Sequence, residues 1–193
     1  MASWPELFIL RHGQTEWNAE GRAQGQQNSD LTPKGRAQAH RQGEILQEAG
    51  LGPRGLPSFC SPQGRALHTA NIALDVIAQS ARADDRLMEI GFGKWEGRTR
   101  AEIEQGWPWS QDIQDMMEWQ FSAPLGESFD AVCARVSSFL DHLTGPTIVV
   151  THGVTSRVMR GLWLGLEMPG MSDLPGGQGI VHHLKDGVAR VLV

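Results

Sequence analysis

The amino-acid sequence predicts an α/β layer fold with a largely parallel sheet. Two observations predict it. Short apolar runs at Glu6 to Leu10, Pro57 to Cys60 and Thr147 to Val150 alternate with longer stretches of helical period. Each run then ends beside a basic or hydroxyl residue and a glycine or helix start, where ordinary turn chemistry would be expected.

Glu6 to Leu10 is read as a buried strand. Arg11 to Asp30, rich in Gly, Gln and Asn, is read as loop. Thr32 with Pro33 forms a helix start, and the helix should run to about Ala49, where Gly50 stops it. Its apolar positions, among them Ala37, Ala39, Ile45 and Leu46, give it a modest buried face. Pro57 to Cys60 is a second strand, and Ser61-Pro62 opens a second helix. Ala66, Ala70, Ala73, Leu74 and Ile77 fall on one face of that helix. Leu87 to Phe92 is expected to hold another extended piece. Thr99 to Leu125, with Trp107, Trp109 and Trp119 among acids and glutamines and with two prolines, reads as an insertion of short helices. Glu127 to Leu143 is a helix buried through Phe129, Val132, Val136, Phe139 and Leu140. Thr147 to Val150 is the clearest buried strand, followed by a helix from Val154 to Leu166. Val181 to Val193 reads as extended chain turning at Asp186-Gly187.

The 193 residues, without repeat or linker, suit one domain with a sizeable core. Hydrophobic residues at 40% and charged residues at 20% fit a folded globular chain. A net charge of -5 and the lack of any Lys/Arg block argue against nucleic acid as a partner. The apolar run in MASWPELFIL is too short for a signal peptide, and no stretch approaches a transmembrane span. Cys60 and Cys133 match no metal or redox spacing and are read as reduced thiols, which with the missing leader gives a cytoplasmic expectation. A homodimer through an exposed strand or helix is compatible with the sequence, which carries no specific sign of one.

The strand ends carry the chemistry. Arg11-His12-Gly13 follows the first run, Ser61-Pro62-Gln63-Gly64-Arg65 the second and His152-Gly153 the third. In an open parallel sheet the carboxyl ends of the strands share one edge, where ligands bind. Taken singly, a histidine after a strand or an arginine after a helix start is most often structural. Together, Arg11, Arg65, His12 and His152 make a pocket for a compact anion, most simply phosphate, because guanidinium donors match phosphate oxygens. Helix N-termini near Arg65 and after His152 are expected to add backbone donors.

"LRHGQTEWN", "SPQGRALHTA", "EIGFGKWEG", "PLGESF" and "VVTHG" occur in the order seen in the histidine phosphatase superfamily, the phosphoglycerate-mutase-like branch, and the chain resembles that family over nearly its whole length. The resemblance implies a three-layer α/β/α sandwich and a phosphohistidine mechanism without metal or other cofactor. His12 would be the nucleophile, and Arg11, Arg65 and His152 would clamp phosphate oxygens. Asn18 would help hold the phosphate, and Glu89 would be proton donor and then base for water. Thr15 and Gln24 match positions that often border the pocket, with a structural role open for both. Gly13 would leave room beside the phosphate, and Gly153 follows the second histidine at the same edge. Glu16, Glu96 and Glu127 stay open as alternative acids.

Within that family the residues favour hydrolysis of a small phosphomonoester over mutase chemistry. Ile90 and Phe92 stand where mutases have arginine and tyrosine. Ala101 to Ala134 contains no Lys or Arg, and it resembles the segment covering the active site in the family, a lid at about residues 99–125. Its acids should repel a second negative charge. Its tryptophans, with Met116 and Met117, could meet an apolar leaving group or simply pack together. Arg98 and Arg100 are the basic candidates beside it. Mutase-type transfer and a catalytically idle phosphate binder are the competing readings. His182-His183 is expected as a sheet-edge pair, and Gly176-Gly177 as a turn whose place relative to the pocket is open.

Overall fold

Leu7 and Ile9 face one side of strand Leu7–Arg11 (β1) and Phe8 and Leu10 the other, because successive strand side chains alternate. That alternation, repeated on strand Thr147–Thr151 (β4), divides the interior into two apolar layers. The computed structural model describes residues 4–193; the first three residues of the stretch read against a signal peptide lie outside it.

The sheet has six strands in the order β3-β2-β4-β1-β5-β6, with Ser58–Cys60 (β2), Arg82–Ala83 (β3), Val181–Lys185 (β5) and Val188–Leu192 (β6) completing it. β1, β2, β3 and β4 pair in parallel, and β5 lies antiparallel to both β1 and β6. Beneath one face lie helices Pro33–Glu48 (α2) and Gly64–Asp75 (α3), packed through Ile45, Leu46, Ala70, Ala73 and Leu74. Over the other lie Phe129–Asp141 (α6) and Gly153–Leu164 (α7), packed through Val132, Val136, Phe139, Val158 and Met159. The result is the expected three-layer α/β/α sandwich. Thr32 caps α2 by accepting from the Gly35 amide at 3.0 Å, as its sequence position predicts.

Three expectations need correction, and one short helix is added. The predicted loop after β1 holds a short helix, Glu16–Glu20 (α1), fixed by a capping box between Thr15 and Asn18. Leu87 to Phe92 stays outside the sheet, and the extra strand is the dipeptide β3 just before it. A five-residue helix, Met168–Ser172, follows α7. His182 and His183 lie on β5, inside the sheet, because the hairpin turning at Asp186-Gly187 places β6 outermost. His183 stacks on Phe8 with centroids 4.4 Å apart and meets Glu6 at 2.7 Å.

The segment 99–125 consists of helices Arg100–Gly106 (α4) and Met116–Phe121 (α5) with a 3-10 turn at Pro108–Asp112. It gathers around Trp95, which is fully buried and lies 6.2, 6.1 and 4.7 Å from the rings of Trp107, Trp109 and Trp119. The tryptophans are therefore mainly the segment's own packing. No helix among the described residues is long and apolar enough to cross a membrane.

Candidate active site

Strand register alone brings the chemistry together. Arg11 pairs with Thr151 and Cys60 with Val150, so residues 12, 152 and 61 emerge side by side at one sheet edge. The His12 amide donates to Thr151 O at 2.9 Å, and the His12 and His152 rings lie 5.1 Å apart. Arg65, on the first turn of α3, reaches in from the β2 side. Its Nε–H lies 3.3 Å from His12 Nε2, and its terminal nitrogens donate to Gln27 O at 2.6 Å and Gly25 O at 2.8 Å. Arg11 contributes a buried Nε with no partner in the protein.

The hydrogen bonds assign the His12 tautomer. Nδ1–H donates to Gly13 O at 2.8 Å, which leaves the Nε2 lone pair facing the cavity and Arg65. Burial, reinforced by Arg11 and then Arg65, holds the His12 pKa well below its ordinary value. The ring is a neutral base at neutral pH. His152 is held down in the same way by burial and by Arg65. Its Nε2 meets Ser61 Oγ at 2.7 Å, and its buried Nδ1 has no partner. Burial lowers Arg65 to about 10, with Glu89 opposing the shift, so its guanidinium stays charged at neutral pH.

Glu89 enters from the segment between β3 and the insertion. One carboxylate oxygen accepts from the Thr155 amide and hydroxyl, each at 3.1 Å, and the other from the Val154 amide at 3.2 Å. The N-terminus of α7 thus holds the carboxylate. These two amides serve Glu89, while Gly153, the first residue of α7, lies on the cavity wall. At α3 the Arg65 amide donates to Asn28 Oδ1 at 2.9 Å. The alternative acids are placed elsewhere. Glu16 is exposed, Glu96 accepts from the Gln26 and Phe92 amides, and Glu127 forms a two-point pair with Arg135 at 2.8 and 3.0 Å.

Arg11, His12, Arg65, Glu89, Asn18 and Gly153 line one cavity of about 270 Å³. Asn18 Oδ1 accepts from Gln178 Nε2 at 3.1 Å and from the Thr15 amide at 3.3 Å, which leaves its Nδ2–H₂ as a free donor. Gln24 borders the cavity, but its Nε2 donates to Thr15 Oγ1 at 2.7 Å and its Oε1 accepts from Ser29. Thr15 is fully buried and lies outside the cavity wall, so its part is to cap the short helix carrying Asn18. Gly13 has a packing reason of its own. A Cβ there would stand 2.1 Å from Gly35 O of α2, so the glycine permits close packing of loop on helix. Gly13→Ala should cost about 1–3 kcal/mol and lower Tm by several degrees; an unchanged melting curve would contradict this packing account.

The insertion's acids do not face the cavity, contrary to expectation. Glu102 closes a capping box with Thr99 and pairs with Arg22, Glu104 pairs with Arg100, and Asp115 caps the helix that follows it. Glu89 is the one carboxylate on the cavity wall among the described residues. Met116, Trp119 and Ile103 supply an apolar side, while Met117 is buried core.

Several residues of the site escaped the sequence reading. Gln63 accepts from the Glu89 amide at 2.7 Å and donates to Gly25 O at 3.0 Å, tying three loops together. Gln178 fixes Asn18. Arg157, Arg160 and His182 line the cavity, as do Gly176 and Gly177, whose position was open. The spacing of Arg157 and Arg160, one helical turn apart after "THG", was the available signal.

The buried histidines make stability depend on pH. His182 is pushed down to about 4 by burial and then by Arg160 and Arg157. Its folded pKa lies below its unfolded value of about 6.5. Below that pH the unfolded chain takes up a proton that the folded chain refuses, so stability is lost as pH falls from about 6.5 toward 4. Each such histidine can add about 1.4 kcal/mol per pH unit to the slope. Tm should fall over that window, and His182→Asn should flatten the fall; equal slopes for the two proteins would contradict it.

Arg11, His12, Arg65 and Glu89 line the cavity, with the His152 ring buried behind that of His12, an arrangement on an α/β sandwich suited to a compact anion. The chain belongs to the histidine phosphatase superfamily (branch 1), which it matches over residues 7–186. It is similar to an acid phosphatase of Mycobacterium tuberculosis, at 32% identity over 84% of this chain and 77% of that protein. It is 42% identical to a 2,3-bisphosphoglycerate-dependent phosphoglycerate mutase of Caulobacter, over 52% of this chain but only 43% of that protein. Among solved structures, Bacillus stearothermophilus YhfR superposes with a TM-score of 0.80 at 32% identity, covering 97% of this chain and 95% of that one.

Proposed function

We propose that the chain hydrolyses small phosphomonoesters through a phosphohistidine on His12. The observation that carries this reading is the neutral, outward-facing Nε2 of His12, set 3.3 Å from Arg65 in the cavity that also holds Glu89. In the first step the Nε2 lone pair attacks phosphorus. The ester P–O bond breaks, and the leaving oxygen takes the proton of the Glu89 carboxyl. In the second step Glu89, now a carboxylate, accepts a proton from water as its oxygen attacks phosphorus. The P–N bond breaks, and phosphate and neutral His12 result. Arg11, Arg65, the Asn18 amide and His152 hold the phosphoryl oxygens, so that positioning and charge stabilisation come from side chains. The segment at 99–125, which brings Met116 and Trp119 to the cavity wall, acts as a lid over the leaving group.

Hydrolysis is preferred to transfer between phosphoglycerates because Ile90, where mutases have arginine, is a fully buried core residue here. Phenyl phosphate should turn over in the presence of a chelator. Loss of activity to the chelator, with recovery on adding a divalent metal, would overturn the metal-independent scheme. Interconversion of phosphoglycerates faster than their hydrolysis would overturn the hydrolase reading.

A further inference from the structure

The cavity holds more positive charge than one phosphoryl group requires. Arg22 pairs with Glu20 and Glu102. Arg100 pairs with Glu104 and lies over Trp119, and Arg98 lies over Trp107. Arg11 and Arg65 belong to the His12 end. Arg157 and Arg160 remain, and neither forms an ion pair with a carboxylate among the described residues.

Their surroundings are built rather than incidental. Arg160 is only 2% exposed. Its bonds inside the protein are long: Nε to Ser156 O at 3.3 Å and a terminal nitrogen to His182 Nδ1 at 3.5 Å. That contact makes Nδ1 the acceptor of His182 and leaves Nε2–H as a donor. The Ser156 hydroxyl borders the same cavity, is buried and has no partner. Arg157 donates through Nε to Leu174 O at 3.3 Å, and its outer nitrogen lies against Gly176, 3.4 Å from where a Cβ would stand. Two guanidiniums this close, one of them buried without a counter-charge, repel each other. Burial and Arg157 together lower Arg160 to about 10. An anion would relieve the repulsion and satisfy the idle donors.

We propose, building on the phosphatase reading above, that Arg157, Arg160, Ser156 and His182 form a second anion site, and that the alcohol released from phosphate carries its own carboxylate or phosphate group. The apolar side of the cavity at Met116, Trp119 and Ile103 then faces the carbon skeleton between the two charged ends. Of the insertion's acids, Glu102 and Glu104 are held by Thr99, Arg22 and Arg100, while Asp115, which caps the helix after it, lies within electrostatic reach of Arg157 and is the one an incoming anion must outcompete.

The test compares kcat/KM for phenyl phosphate, 3-carboxyphenyl phosphate and the bisphosphate of 1,3-benzenediol. The wild type should prefer at least one of the doubly charged esters by about tenfold or more, and which one it prefers distinguishes carboxylate from phosphate. Arg160→Met should cut that preference by about 10- to 100-fold, the range for a charge-assisted hydrogen bond, chiefly through KM. Arg160→Lys should restore part of it. If Arg160→Met does not fold, the same ratio in Arg157→Met decides. Turnover without any preference, or a preference unchanged in the variant, would overturn the second site alone. Turnover of no ester would overturn the phosphatase reading instead. In that case calorimetry with 3-hydroxybenzoate in the presence of inorganic phosphate decides: binding to wild type and not to Arg160→Met upholds the second site, and no binding to wild type overturns it.

Discussion

His12→Ala is expected to lower kcat for phenyl phosphate by a factor of about 10⁴ or more, the scale seen when a covalent nucleophile is removed. The size follows from the geometry. Of the other imidazoles nearby among the described residues, His182 turns its Nδ1 to Arg160, and His152 is fully buried off the cavity wall. His152 lies 5.1 Å away, ring to ring, but its Nε2 is engaged by Ser61. Water would have to replace the imidazole without a base placed to activate it in the first step. The arginines would still bind phosphate in the variant, so KM or the affinity for inorganic phosphate should change far less than kcat. Equal rates for wild type and His12→Ala would remove His12 as nucleophile. A parallel loss of phosphate binding would show instead that the variant had collapsed the pocket.

Glu89→Gln should reduce kcat by about 10²–10⁴, the range for a positioned general acid–base group, and the loss should depend on the leaving group. An alkyl oxygen needs a proton as it departs, so alkyl phosphates should show the full effect. A nitrophenyl oxygen departs readily without one, so the first step should survive and the second should become limiting, since water would lack its base. The phosphorylated enzyme would then accumulate, with a burst of nitrophenol. The substitution also has a structural consequence. Both carboxylate oxygens accept from backbone amides, Val154 on one side and Thr155 on the other. A glutamine must therefore turn its NH₂ toward a donor, which costs about 1–3 kcal/mol of stability. A lower Tm with an unchanged leaving-group dependence would assign Glu89 to positioning α7 and not to proton transfer.

The sequence made the strand-end residues legible because a single rule connects them. Parallel strands align their carboxyl ends, so Arg11-His12, Ser61 and His152 had to meet once three buried runs were recognised. Glu89 obeyed no such rule. It lies in a stretch between elements, and only its resemblance to a family motif singled it out. The short helix at Glu16–Glu20 was hidden because five residues with only Trp17 and Ala19 apolar show no helical period; its capping box at Thr15 and Asn18 was the readable sign. The charge of the insertion misled for a physical reason. The sign of a residue says nothing of where its side chain points, and Glu102 and Asp115 are claimed by helix starts. Two further cations on the cavity wall, Arg157 and Arg160, come from the helix after the second histidine. The place of His182 could not be read locally either, since only the strand order puts β5 inside the sheet.

The most direct test of the central claim is to trap the intermediate. The protein is mixed with ³²P-labelled phenyl phosphate and a chelator, quenched in base within milliseconds, digested and mapped. A base-stable, acid-labile phosphate on the peptide carrying His12, formed no more slowly than turnover and absent in His12→Ala, is the predicted result. Release of inorganic phosphate at full rate with no label on that peptide, in wild type and in Glu89→Gln alike, would contradict a phosphohistidine mechanism.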